Sequence, residues 1–523
     1  MLQLPAQFNA ATYFIDRHAA EGRDEKLAIE CGDEKVTYRS LFEQTNRMGN
    51  ALLKLGVRPE DRVIVLLLDE PEFLYCFFGA IKIGAVAVPV NTLLKAPEYE
   101  YILNDTRAHI AIVSGELLPE FQHISAANRR HLQNVIVFGE AGPRCRNLQK
   151  LMQDASPHLE AEPTSRDDPA FWLYSSGSTG SPKGCVHLQH DMVVCSELYA
   201  KGILGMNEHD RCYSVAKLFF AYGLGNAGYF PLAVGATSIL SPGRPTPDVV
   251  YANIERYRPT LFFSVPSNYA ALLAHHREDG REFNLSSIRH GISAGEPLPA
   301  VLFERFKQRF GVEILDSLGS TETLQMVIAN RPGDVRPGSS GKIIPGFEAR
   351  IVDDQGEDVP VGQIGTLMVK SDATCAGYWN QHEKSKDTFV GHWFRTGDKY
   401  FQDEDGYFWY AGRADDLFKV NGRWLSPTEV ESALMGHPAV LEAAVVCRED
   451  ENRLLKPAAF VVVNHGFQPT DNLTRELQDW VAEKIGAYKR PRWVKFLNEI
   501  PKTATGKVQR FKLRESYKEG HSS

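Results

Sequence analysis

YSSGSTGSPKG, running from Tyr174 to Gly184, gathers glycines and small hydroxyl residues into one loop that ends in a lysine. Glycine lets the backbone turn its N–H groups toward an anion; Ser175, Ser176, Ser178 and Thr179 add hydroxyl donors around Gly177 and Gly180, and Lys183 adds a positive charge. Such a loop suits phosphate. It departs from the P-loop of kinases and GTPases, which needs glycine before the lysine and Ser or Thr after it. Here Pro182 precedes Lys183 and Gly184 follows, so the usual hydroxyl ligand for magnesium is missing. The loop is expected between the strand-like FWLY, 171–174, and a helix-like stretch.

Upstream, helix-like and strand-like periods alternate: LFEQTNRMGNALLKLG, RVIVLLL, PEFLYCFFGAIKIG, AVAVPV, EYEYILNDT and HIAIVSG. The rhythm returns downstream in VVYANIERYR, PTLFFSVP, PAVLFERFKQRFG and VEILDSLG. Alternation of this kind predicts α/β architecture, with parallel sheets and helices on their faces. From about 341 to 412 the texture changes to short runs (EARIVDD, GTLMVKS, YFWYAG) separated by glycine and charged turns, the pattern of a small β-rich subdomain. Two helix-like and two strand-like stretches follow, enough for a small α+β domain. The expected division is a large multi-subdomain N-terminal domain over 1–415 and a C-terminal domain over 416–523.

Bulk properties narrow the class. A chain of 523 residues exceeds what one hydrophobic core normally serves. Its net charge of -8 gives no basic footprint for nucleic acid, although Lys484 to Lys518 is locally basic. Eight scattered cysteines without a C-x-x-C pair argue against a zinc knuckle or a disulfide framework and fit a reducing cytoplasm. The N-terminus lacks a signal-peptide pattern, and the apolar stretch from Val63 to Val90 is broken by Asp69, Glu70, Glu72 and Lys82, so no membrane span is expected.

Four more segments are rich in glycine and polar residues and follow or open a strand, where open α/β folds bind ligands. They are SAGEPLP (Ser293 to Pro299), DSLGSTET (Asp316 to Thr323), RTGD (Arg395 to Asp398) and GRADDLFKVNGR (Gly412 to Arg423), with PKTATGKVQR (Pro501 to Arg510) near the end. Together and in this order they resemble the adenylate-forming superfamily of acyl-CoA synthetases, luciferases and peptide-synthetase adenylation domains, across nearly the whole chain.

The resemblance implies a two-step reaction: ATP and a carboxylate give acyl-adenylate and pyrophosphate, then a thiol, usually coenzyme A, displaces AMP. It implies a C-terminal domain that swings between two orientations. Its residue roles carry over as follows. The loop with Lys183 would hold the β- and γ-phosphates; Thr321 would donate to the α-phosphate, and Glu322 would bind Mg²⁺. Ala294, Gly295, Glu296 and Pro297, with Asp316 and Ser317, resemble the adenine pocket. Asp398 resembles the ribose-binding aspartate, and Arg413 the arginine beside ribose and phosphate. Lys507 matches the catalytic lysine of adenylation and Asp415 the hinge. Lys419, Gly422 and Trp424 would border the pantetheine tunnel.

AKLFFAYGLGN, NRPGDVRPG and DDLFKVNGRW resemble one branch in particular, the benzoate-CoA ligases and their hydroxy- and aminobenzoate relatives. In that branch Lys217, Phe220, Ala221, Tyr222, Gly223 and Gly319 would line a flat, mostly apolar slot. Where the branch usually has a histidine and an aliphatic residue, this chain has Gln325 and Met326. That departure points to a ring substituent, such as the ortho-amino group of 2-aminobenzoate, or to broad ring tolerance. The reading leaves two alternatives, an aryl-acid adenylating enzyme that loads a carrier protein and, distantly, a serine hydrolase using Ser293 in G-x-S-x-G (291–295). It also leaves room for a homodimer.

Overall fold

The computed structural model describes residues 2–175, 182–413, 416, 418–420, 423–451, 453–502 and 508–516, without the side chains of 419, 423 and 424. Six strands carry the site: β1 (Pro169–Ser175), β2 (Lys183–Leu188), β3 (His290–Ser293), β4 (Ile314–Gly319), β5 (Trp393–Gln402) and β6 (Phe408–Arg413).

Two mainly parallel sheets form the bulk of the chain. The seven-stranded sheet runs from Arg146–Asn147 at one edge, through the parallel strands Asn134–Phe138, Ile110–Ser114, Arg62–Leu66 and Val86–Pro89, to β1 and the antiparallel edge strand β2. In the nine-stranded sheet β3 and β4 are parallel neighbours, and Met326–Ala329 then turns back antiparallel. Both sheets change from parallel to antiparallel pairing beside the polar motifs.

The helix Pro71–Lys82 shows why these sheets hold together. PEFLYCFFGAIK is apolar nearly all round, and every residue except Glu72 is buried, as expected of a helix covered on several sides. Gly49 and Gly79 let it lie against the helix Tyr38–Lys54: a Cβ on Gly79 would come 3.0 Å from the Cβ of Met48. Phe73, Phe77 and Phe78 are fully buried in the main core, where truncating one such ring costs about 3–5 kcal/mol.

A β-rich unit follows, a five-stranded antiparallel sheet containing Glu348–Val352, Gly365–Lys370, Phe389–Val390, β5 and β6. The small C-terminal domain has its own sheet, in which Val440–Glu449 pairs antiparallel with Leu455–Val463 and the latter parallel with Trp493–Phe496. The helices Pro427–Met435 and Asp471–Ile485 cover it around Val430, Leu434, Leu477 and Val481. Among the described residues no helix is long and apolar enough to cross a membrane.

Two local expectations are corrected. The loop of 174–184 opens into a second strand, not a helix: β1 and β2 form an antiparallel hairpin in which Ser175 faces Lys183. KGCVHL alternates as a strand, and the next helix begins only at Asp191. RTGD is no terminal loop either but lies inside β5, where Gly397 takes φ +75° and the ladder to β6 slips between Lys399 and Tyr400, the behaviour of a glycine bulge.

Candidate active site

The hairpin β1–β2 ends in Ser175 and begins again at Lys183, and a second segment closes on it. Val186 N donates to Gly377 O at 3.0 Å, Trp379 N to Gly184 O at 2.8 Å, and Cys375 N to Glu322 O at 2.8 Å. These bonds bring Tyr378 over Lys183 and Glu322, and its hydroxyl donates to Glu322 Oε1 at 2.8 Å. Ser175 Oγ reaches the same oxygen at 3.5 Å. Lys183 Nζ lies 4.9 Å from the centroid of the Tyr378 ring. Burial first, and then the Glu322 carboxylate, push the Tyr378 phenol well above its usual range, so it stays a proton donor.

Thr321 and Glu322 sit in a tight turn closed by Leu324 N to Thr321 O at 3.2 Å and by Gln325 N to Thr323 O at 2.7 Å. Leu324 pays for that turn with φ +63°, a left-handed conformation uncommon outside glycine and frequent where structure serves a site. The carbonyl of Thr321 is held from behind by His187 Nε2 at 2.8 Å, while His187 Nδ1 lies 2.8 Å from Asp191 Oδ2. Both side chains are fully buried. Because His187 is on β2, one strand carries Lys183 at its start and props the Thr321–Glu322 turn near its end.

Ala294 to Pro297 follow β3 directly, with Gly295 at φ +90°. Asp316 and Ser317 lie beside them on β4: Ser317 Oγ donates to Ser293 O at 2.9 Å and Leu298 N to Asp316 Oδ2 at 3.2 Å. Burial drives the Asp316 carboxyl up to about 8. Asp398 and Arg413 face each other across β5 and β6, with Arg413 Nη1 donating to Asp398 Oδ1 at 3.2 Å. The C-terminal domain meets this face where Val508 N donates to Glu296 Oε1 at 3.2 Å. Ser176, Gly177, Ser178, Thr179, Gly180, Asp415, Gly422 and Lys507 lie outside the described residues, as do the side chains of Lys419 and Trp424.

At the other end the polar groups turn to the backbone. Lys217 Nζ donates to the carbonyls of Ser241 at 2.5 Å and Gly243 at 2.8 Å and lies 3.8 Å from Asp69. The Tyr222 hydroxyl donates to Ser264 O at 3.1 Å and Ile292 O at 3.2 Å. Gln325 Nε2 donates to Ala221 O at 2.6 Å and Tyr222 O at 3.3 Å, and the Tyr229 hydroxyl neighbours the same buried amide. Small residues permit this packing: a Cβ on Gly223 would fall 2.1 Å from Lys217 O, and one on Gly319 would fall 2.6 Å from Gln325 O. Phe220, Ala221 and Met326 supply apolar surface beside them, the latter two buried.

Tyr378, His187 and Asp191 were not anticipated as site residues. The i, i+4 spacing of His187 and Asp191 in CVHLQHD was a signal; the GYW of 377–379, after a strand, was a weaker one.

The fold and the relatives of the chain define an ATP-using, adenylate-forming class. The AMP-binding enzyme family profile matches residues 15–379, and that of the AMP-binding enzyme C-terminal domain matches 429–507. The chain is 46% identical to a benzoate-CoA ligase of Thauera aromatica, over 98% of this chain and 97% of that protein. A crystallised anthranilate CoA ligase in complex with anthranoyl-AMP superposes with a TM-score of 0.95 at 44% identity, covering 99% of each chain. A benzoate CoA ligase from Burkholderia xenovorans LB400 gives 0.88 at 42% identity, covering 97% of this chain and 100% of that one. The chain belongs to the AMP-binding enzyme family, in its benzoate-CoA ligase-like branch. The serine-hydrolase alternative falls with that membership, and Ser293 is sealed from solvent.

Proposed function

We propose that the enzyme is an aryl-CoA ligase, AMP-forming, which activates benzoate or a substituted benzoate with ATP and passes the acyl group to coenzyme A. A carboxylate oxygen attacks the α-phosphorus and pyrophosphate leaves; the thiolate sulfur of coenzyme A then attacks the acyl carbonyl and AMP leaves with the bonding electron pair. The observation that carries the reading is the meeting of Ser175, Lys183, Glu322 and Tyr378, with Gln325, three residues past Glu322, bonded to the carbonyls of Ala221 and Tyr222.

In adenylation two anions approach each other, so cations and fixed donors do most of the work. Lys183 and the loop before it hold the pyrophosphate portion, and Thr321 donates to the α-phosphate. Glu322, an oxygen donor, would hold Mg²⁺, which when bound would offset phosphate charge; among the described residues no group of three or more His, Cys, Asp or Glu side chains gathers to hold a metal by itself. Ala294 to Pro297, Asp316 and Ser317 hold adenine; Asp398 and Arg413 hold ribose. Lys507 bridges carboxylate and phosphate during adenylation. Rotation at Asp415, between domains 1–415 and 416–523, then replaces it with Lys419, Gly422 and Trp424 along the coenzyme A tunnel.

A narrower reading is 2-aminobenzoate as the preferred acid. It is supported by Gln325, an amide that can accept from an amino substituent where the branch usually has a histidine. Turnover of benzoate, 2-aminobenzoate and 4-hydroxybenzoate with ATP, Mg²⁺ and coenzyme A, followed by thioester mass, tests both readings. Strong preference for unsubstituted benzoate would end the narrower one. Adenylate without thioester would make a carrier protein the acceptor and end the broader one.

A further inference from the structure

We propose that Tyr378 is a positioning residue for adenylation, keeping Lys183 and Glu322 apart and aimed at the nucleotide; this rests on the roles given to those two residues above. The phenol stands between opposite charges: its hydroxyl binds Glu322 Oε1 at 2.8 Å, and its ring faces Lys183 Nζ, 4.9 Å from the centroid. Among the described residues neither Lys183 nor Glu322 forms an ion pair. Two such groups left to themselves in a half-buried site attract each other strongly, and a direct pair would have to be broken before phosphate and metal could bind.

The residue is built to resist movement. Tyr378 is 7% exposed. Its N–H donates to Ser385 Oγ at 3.0 Å, the next residue is bonded to Gly184 O, and its ring packs on Phe389 at 5.3 Å. Phenol hydroxyl and ring face thus take one partner each: a donor satisfies one carboxylate oxygen and leaves the other for metal, while the π-face holds the ammonium without neutralising it.

Two substitutions separate these contributions. Tyr378→Phe deletes the hydroxyl and keeps the ring; Tyr378→Leu deletes both. ATP–pyrophosphate exchange in the presence of benzoate, or of the best acid of the panel, reports adenylation. Thioester formation from pre-formed aroyl-adenylate and coenzyme A reports the second half-reaction in the same protein and serves as the folding control. Tyr378→Phe is expected to raise the KM for MgATP about tenfold, and Tyr378→Leu to lower the kcat of exchange by about a further tenfold, with thioester formation within about twofold of wild type. A normal KM for MgATP in Tyr378→Phe, or equal loss of both half-reactions in Tyr378→Leu, would overturn the proposal; if the leucine variant does not fold, the phenylalanine variant decides. Glu322→Gln is the reference arm. If it leaves exchange intact, the reading of Glu322 fails; if it lowers exchange while Tyr378→Phe does not, only the positioning role fails.

Discussion

The two ends of the site use the same kinds of polar side chain in opposite ways. At the phosphate end, Ser175, Glu322, Tyr378 and Lys183 contact one another and leave the backbone largely alone. At the acyl end, Lys217, Tyr222 and Gln325 spend their donors on backbone carbonyls. In the roles proposed above, one end would present charge and hydrogen-bonding capacity to a ligand, whereas the other uses them to fix local backbone shape. Substitutions at the first should therefore damage chemistry with little effect on folding, and substitutions at the second should damage stability before they change the reaction.

The sharpest break of that contrast lies at the phosphate end. Glu322→Gln and Lys183→Ala should each lower the rate of ATP–pyrophosphate exchange by about 10²–10³, with denaturant midpoints close to wild type. A variant that unfolds early instead would move this end into the structural class.

Next in size is Lys217→Met. It removes the cation beside buried Asp69 and should destabilise the fold by about 3 kcal/mol near neutral pH. Burial raises the Asp69 carboxyl to about 6, against the restraining charge of Lys217. The folded state thus holds that proton longer than the unfolded chain does, so the group's contribution to stability falls as pH rises from about 4 through 6. Without Lys217 the window extends upward, and the deficit of the variant should widen between pH 5 and pH 8. Urea midpoints at three pH values check this; a deficit independent of pH would mean that Lys217 acts through its carbonyl partners alone.

How much of this was legible beforehand follows the same division. The strands and helices of both parallel sheets follow from period and composition, because RVIVLLL and PEFLYCFFGAIK are decided by local burial. The motifs proposed for phosphate were readable as motifs, since Ser175, Lys183 and Glu322 stand in glycine-rich, hydroxyl-rich turns, and the structure brings the three together. Tyr378 was not, because its importance comes from a backbone pairing with β2 across about 190 positions, which no local pattern encodes. The hairpin was missed because strand and helix both follow glycine-rich loops. Nor does the residue type of Lys217 or Tyr222 reveal that a carbonyl waits opposite.

Gln325→Ala tests the acyl end more gently. It removes the side-chain donor to the carbonyls of Ala221, which keeps Leu224 N, and Tyr222, so a stability loss of about 1 kcal/mol is expected, together with a severalfold rise in KM for the acid and little change in KM for MgATP. If Oε1 recognises an amino group, the rise should be larger for 2-aminobenzoate than for benzoate.

The smallest effect is expected from Ser175→Ala. Its hydroxyl reaches Glu322 Oε1 at 3.5 Å, the long limit of a hydrogen bond, and the same oxygen already has Tyr378 at 2.8 Å. Deleting a weak second donor from an oxygen that keeps a strong first one leaves the carboxylate satisfied, so exchange should slow by only about two- to fivefold with unchanged stability. The prediction bears on how charge is organised here: if Ser175→Ala matches Glu322→Gln in effect, the hydroxyl must act on the phosphates themselves rather than through the carboxylate. Combining Ser175→Ala with Tyr378→Phe separates the two cases. Through a shared carboxylate the double variant should lose more than the product of the single losses, since Glu322 Oε1 would then lack both donors; independent action on phosphate would make the losses multiply.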